Sequence, residues 1–288
     1  MIQPCGLSII SRSISLATTG AGTKPFKFGR RWQYHPRSDR HSKIASWALM
    51  FDLMMASPLL RRHIAEGKVA VGINHEMRDF AQNRAKNLDL VVCRGGEARA
   101  GDNFGELIER YEIVLSPSER RALHGLPVAP LAIPQTVLLA VEAKACMTEY
   151  GKARPRLYDE LNSSHLTIHG DTNSAIAAGF VLLNLSPTFV SPLRNPWPLG
   201  TLPEEVSQHR QPQSLRSVAA KVAELPRRSQ AGQEGFDALA IAVIDCANDG
   251  SPVSAIPEAA GRDFPAIFEY EQTVGRIAHL YATRFSAL

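Results

Sequence analysis

No run in this 288-residue chain approaches the ~20 consecutive apolar residues that a membrane-spanning helix requires. The amino terminus has no long apolar stretch leading to a cleavage site, so a secretory signal peptide is not expected. The four cysteines, Cys5, Cys93, Cys146 and Cys246, form no C-x-x-C pair, which argues against a zinc site and against a disulfide framework. Three of them stand in or beside apolar runs, where a free thiol acts as a small hydrophobe, and a reducing cytoplasm is the expected compartment. Charge of one sign is scarce too: the formal net charge of +4 is compatible with a polyanionic partner without pointing to one. There is no internal repeat and no low-complexity linker clean enough to divide the chain.

Hydrophobic residues make up 44% of the sequence, enough for a substantial core. The chain reads as one α/β domain spanning 1–288, with an irregular basic arm at 1–38, a core at 69–185, and a further loop, strand and helices at 186–288. After Ser38-Asp39, a capping signal, apolar residues at Ile44, Trp47, Ala48, Phe51, Met54 and Met55 recur at three- and four-residue steps and predict a long helix over 40–66, bent or split at Pro58. Strands are predicted at 69–73, 86–93, 175–185 and 236–246. Helices are expected at 104–115, after Ser116-Pro-Ser-Glu119, after Lys152 with Pro155 in the first turn, at 215–225 and at 264–285. The proline-rich stretch 186–212 reads as a long crossing loop. In the basic arm, Lys24 to Arg37 interleaves Phe26, Phe28, Trp32 and Tyr34 with cations, a pattern shared by a DNA-wrapping arm and a plain basic tail.

The most informative stretch is 137–144. Val137-Leu-Leu-Ala-Val141, entered through Pro134, reads as a buried strand, although periodicity alone does not separate it from a buried helix segment. At its end come Glu142 and Lys144, with Ala143 between them. In a strand, residues two apart share a face, so a carboxylate and an ammonium project together from the end of an apolar strand. Taken alone, the pair is most simply a salt bridge. A second oddity is Asp89, a single acid within an apolar run, because Asp is depleted in strands. Lys152, Arg154 and Arg156 then follow the Glu-x-Lys strand closely.

An acid within one strand, Glu-x-Lys closing a second, and a basic helix just after it resemble the PD-(D/E)xK nuclease superfamily, the fold of most type II restriction endonucleases. Two features depart from its motif: Leu88, not proline, precedes the first acid, and a long insertion separates Asp89 from Glu142. The resemblance implies an α/β fold with a mixed central sheet flanked by helices, a restriction-endonuclease-like core and an N-terminal helical and arm region. It implies a Mg²⁺-dependent endonuclease acting on double-stranded DNA, with Asp89, Glu142 and Lys144 catalytic. Asp89, Glu142 and the Ala143 carbonyl would hold the metal, and Glu76 would be a possible auxiliary acid; Asp102 is next in line should Asp89 be misplaced. Hard cations favour such oxygen ligands, and a lysine beside them can position or deprotonate water and offset transition-state charge. Lys152, Arg154 and Arg156 would contact phosphates, with Asn162, Ser163, Ser164 and His165 reaching bases or phosphates or, on the plainer reading, ending the helix. A homodimer is expected because cutting both strands together needs two symmetric sites. The alternatives are a repair or recombination nuclease on the same core, and a nucleic-acid-binding protein without catalysis.

Overall fold

A computed structural model describes residues 4–18, 32–80, 82–94, 98–257 and 264–288. Its centre is a mixed eight-stranded sheet in the order β10-β9-β6-β5-β2-β1-β4-β3. The strands are β1 (Ala70–Asp79), β2 (Arg84–Arg94), β3 (Ala98–Asn103), β4 (Pro130–Ala132), β5 (Thr136–Cys146), β6 (Ile176–Asn184), β9 (Ala238–Asp245) and β10 (Ser254–Ala255). β2 runs antiparallel to both β1 and β5, whereas β5, β6 and β9 are parallel. The helices are α1 (Gly6–Ser15), α2 (Arg40–Ala56), α3 (Pro58–Ala65), α4 (Leu107–Tyr111), α5 (Pro117–His124), α6 (Tyr150–Asp171), α7 (Gln213–Ala223) and α8 (Tyr270–Arg284). No single helix among the described residues is long and apolar enough to cross a membrane.

Apolar residues on both strand faces explain why both faces are covered. On β9, Ala238, Ala240, Ala242 and Ile244 face a layer containing α1, α2 and α8, while Leu239, Ile241 and Val243 face α6 and α7. β6 alternates in the same way, with Phe180 and Leu182 on the first side and Val181 and Leu183 on the second. A parallel neighbour requires a crossover, and α6 supplies it between β5 and β6.

Several elements differ from the sequence expectation for physical reasons. At Pro58 the expected split occurs: Ser57 caps α3 by accepting from the Leu60 N–H, and α2 and α3 meet at 98°. The 1–38 arm is not irregular throughout, because α1 buries Ile9, Ile10 and Ile14, and Asp52 accepts the Cys5 and Gly6 N–H groups and the Tyr270 hydroxyl. Trp32 and Tyr34 are buried, with Tyr34 tied to Asn248 through its backbone, so this end of the basic segment does not reach out as an arm; Lys24, Phe26 and Phe28 lie outside the described residues. The helix expected over 104–115 shrinks to α4, stopped where Glu112 turns left-handed (φ 51°). Within 186–212, β7 (Thr188–Val190) and β8 (Val206–Gln208) pair as a small separate sheet. Ser116 and Glu119 form the expected reciprocal cap on α5.

Candidate active site

Asp89 and Val141 belong to neighbouring antiparallel strands, and the regular β2–β5 ladder ends with Leu90 opposite Val141. Beyond that point the Asp89 side chain replaces a strand partner: its Oδ2 accepts the Ala143 N–H at 2.9 Å. Its Oδ1 accepts from Ser42 Oγ at 2.9 Å and from Lys43 Nζ at 2.6 Å, both at the start of α2. Burial pushes the Asp89 carboxyl up, but the Lys43 ammonium, the Ala143 N–H and Lys144 outweigh it and hold this acid below its usual range.

Glu142 is only 1% exposed. Its Oε1 lies 2.6 Å from Lys144 Nζ and 3.7 Å from Lys86 Nζ, while its Oε2 is buried and accepts no hydrogen bond among the described residues. Burial raises the Glu142 carboxyl, the Asp89 charge adds to that, and Lys144 and Lys86 offset only part of the rise. Lys144 also approaches Glu160 of α6 at 3.7 Å. Burial pulls the Lys144 ammonium down, but Glu142, Asp89 and Glu160 more than compensate, so it is held charged. The two acids feel one another, and Lys144 acts on both. Asp89 is reached from the α2 side, and Glu142 from the α6 side through Lys86, Lys144 and Glu160.

Asp89, Ala143 and Lys144 line a cavity of about 740 Å³ beside Ser42, His41, Asp39, Arg37, Tyr34 and Phe189. The His41 ring packs 4.9 Å from Tyr34, and burial pushes its imidazole down to about 4, leaving it neutral. Lys152, Arg156 and Arg194 complete the cavity wall. They are paired with acids, Lys152 to Glu149 at 3.1 Å, Arg156 to Glu160 at 2.8 Å and Arg194 to Glu205 at 2.7 Å. These are exposed pairs of small net strength, which an incoming phosphate can displace.

The structure separates residues that the sequence grouped. α6 begins at Tyr150, so Pro155 is its sixth residue and not part of a first turn. In a helix, residues four apart share a face and residues two apart do not. Lys152 and Arg156 accordingly face the cavity, whereas Arg154 lines a different groove with Ser217 and Lys221 of α7. Asn162, Ser163, Ser164 and His165 lie mid-helix and do not end it. His165 is buried against Phe236 and bonded to Asn162, so it does not reach the surface as a DNA contact. Glu76 is exposed on β1 beside Arg78 and away from the cavity, because its alternation on the strand points it to solvent. Asp102 sits on β3, at the far edge of the sheet, near Arg110.

Lys43, Ser42, His41 and Lys86 escaped the sequence reading. Lys43 left a signal: it stands four residues before Trp47, on the buried stripe of α2, where a charge demands a partner.

The oxygen donors present for a hard cation are Glu142 Oε2, buried without a hydrogen-bond donor among the described residues, and Asp89, which is held from the α2 side and accepts the Ala143 N–H. No group of three or more His, Cys, Asp or Glu side chains suited to a metal occurs among the described residues. Mg²⁺ does not require one, since it commonly keeps several waters and binds through one or two carboxylates plus substrate phosphates. No protein-family model matches this chain, and neither a curated protein nor a solved structure is significantly similar to it.

Proposed function

We propose that this protein is a Mg²⁺-dependent endonuclease of double-stranded DNA on a restriction-endonuclease-like core, working as a homodimer. The observation that carries the reading is the end of β5: Glu142 is buried with one oxygen unpartnered, Lys144 is clamped to the other, and Asp89 of β2 closes on the intervening Ala143 amide. Charges are buried at such cost only where something needs them. The order of an acid on β2, Glu-x-Lys on β5 and α6 directly after it supports the same reading.

Asp89, Glu142 and the Ala143 carbonyl would hold the ion. When bound, Mg²⁺ would supply Lewis-acid polarisation of the scissile phosphate and lower the pKa of its water. The protein's own residues do the rest. Lys144, held as an ammonium by Glu142 and Glu160, donates to the attacking water and to the charge that gathers on the phosphoryl oxygens. Its role is therefore orientation and charge stabilisation, since its environment opposes its acting as a base in the resting protein. Glu142 and Glu160 keep Lys144 in place from the α6 side. Lys152 and Arg156 exchange Glu149 and Glu160 for backbone phosphates and set the duplex against the cavity.

The test is incubation of the purified protein with mixed-sequence plasmid in Mg²⁺ and in chelator. Discrete fragments in Mg²⁺ and intact plasmid in chelator are expected. Cleavage confined to branched or flapped DNA would replace restriction by repair, and plasmid bound but uncut in every divalent ion would leave a binding protein only.

A further inference from the structure

The Lys43 side chain is 1% exposed and holds Asp89 more tightly than any other group in the site. Its Nζ lies 2.6 Å from Asp89 Oδ1, and it also donates to Asn74 Oδ1 across on β1. Asn74 is one of the few non-glycine residues in the left-handed region (φ 52°), and this conformation falls within the β1–β2 ladder between the Ile73–Leu90 and His75–Leu88 pairs. The lysine is thus suspended between a carboxylate proposed to bind metal and the neutral amide of Asn74. Ser42 Oγ and the Ala143 N–H hold Asp89 independently, so its carboxylate remains oriented without Lys43. Asp39, at the start of α2, is the other acid whose charge Lys43 supports. A divalent cation on Asp89 and an ammonium on the same oxygen repel, and in a partly buried setting that repulsion is poorly screened.

We propose that Lys43 is a resident counter-ion of Asp89 that the divalent cation must displace toward Asn74, so that metal loading is coupled to the first turn of α2. This rests on the metal site assigned above. In the metal-free protein Lys43 neutralises Asp89 and preserves the site; on loading it gives up the Asp89 oxygen and keeps Asn74. Lys43 is a positioning residue in this scheme, touching neither substrate nor water. The two partners make opposite predictions. Removing the lysine charge removes the competitor and tightens the metal. Removing Asn74 removes the lysine's refuge and loosens the metal.

The experiment is Mn²⁺ binding to the intact protein without DNA, followed by calorimetric titration and by the electron paramagnetic resonance signal of free Mn²⁺. Lys43→Met should bind about tenfold more tightly than wild type, the size of partial relief of one ion-pair repulsion. Asn74→Gly, which tolerates the left-handed backbone, should bind several-fold more weakly. Lys43→Gln, which keeps a donor and lacks the charge, should follow Lys43→Met and serves if the methionine variant does not fold. Folded lysine variants that bind Mn²⁺ no more tightly than wild type would overturn the proposal, as would an Asn74→Gly variant that binds equally well. Glu142→Ala separates the two levels of the argument. Loss of Mn²⁺ binding there with unchanged affinity in the lysine variants sinks the counter-ion alone, whereas absence of Mn²⁺ binding by wild type sinks the metal site with it.

Discussion

Replacing Glu142 by Gln should make the protein more stable near neutral pH, and the gain should fade in acid. Glu142 is 1% exposed, with one oxygen shared between Lys144 at 2.6 Å and Lys86 at 3.7 Å and the other without a donor. Removing a carboxylate from water costs several kcal/mol, and the refund here comes from two lysines whose side chains are 27% and 18% exposed and therefore screened. Replacing a whole buried ion pair by apolar residues of similar volume is often neutral or gains about 1–4 kcal/mol, whereas removing one partner is costly where the other charge is left buried and uncompensated. Gln leaves two ammonium groups behind, but both are partly exposed and keep other partners, so a small net gain is expected. Lys144 keeps Glu160 at 3.7 Å, and Lys86 keeps the Glu160 carbonyl. A gain of about 1 kcal/mol raises Tm by roughly 2 °C in a protein of this size. The pH dependence follows from the direction of the shift. Burial, first of all, holds the folded Glu142 carboxyl above the ordinary carboxylate value of about 4.5, so its contribution is full below that value and is lost as pH rises through the folded one. Wild type thus carries a penalty that grows as pH rises from about 4.5 through the raised Glu142 value, and the two proteins should converge toward about pH 4. Differential scanning calorimetry across that range, without divalent ions, measures both features. A Glu142→Gln Tm several degrees below wild type near neutral pH would refute the reasoning, since Glu142–Lys144 would then be an ion pair on which the fold depends.

Further outcomes follow from the same geometry. Lys152→Ala with Arg156→Ala should weaken duplex binding at every sequence and reduce the salt slope by about 2, measured in Ca²⁺, while Arg154→Ala should change both far less because it faces the α7 groove. Equal effects from the two sets would contradict the assigned faces of α6. Arg228, fully buried, bonds Asp237 and the Ala175 carbonyl; without it, Arg284 and the Ala177 N–H would remain on that acid. Arg228→Met should cost about 3 kcal/mol, roughly 6 °C in Tm. An unchanged melting curve would show that Arg284 suffices.

The Glu-x-Lys strand, the acid of β2 and the helix after β5 were legible in the sequence because each breaks a local rule: charges ending an apolar run, an acid inside one, cations in series. The two-layer α/β arrangement followed from apolar runs that bury both faces, as on β9. Distances that depend on tertiary contact were not legible. Lys43 comes to Asp89 from 46 residues away, and nothing local to either residue names the other. The start of α6 was misplaced because Pro155 is a strong first-turn signal, and tertiary packing of Tyr150 and Leu157 overrides it. That shift of one turn is what separated Arg154 from Lys152 and Arg156. The arm was read as irregular because its Ser/Thr-rich composition masked the Ile9, Ile10 and Ile14 face of α1.

The most direct measurement of the central claim is plasmid cleavage by Lys144→Met, which retains the aliphatic stem and loses only the charge. The account predicts a rate at least about 10²-fold below wild type in Mg²⁺, because the ammonium acts on charge that develops in the transition state. Duplex affinity in Ca²⁺ should stay near wild type, and raising Mg²⁺ or Mn²⁺ should restore nothing. Cleavage by Lys144→Met at the wild-type rate would contradict the account at its central residue.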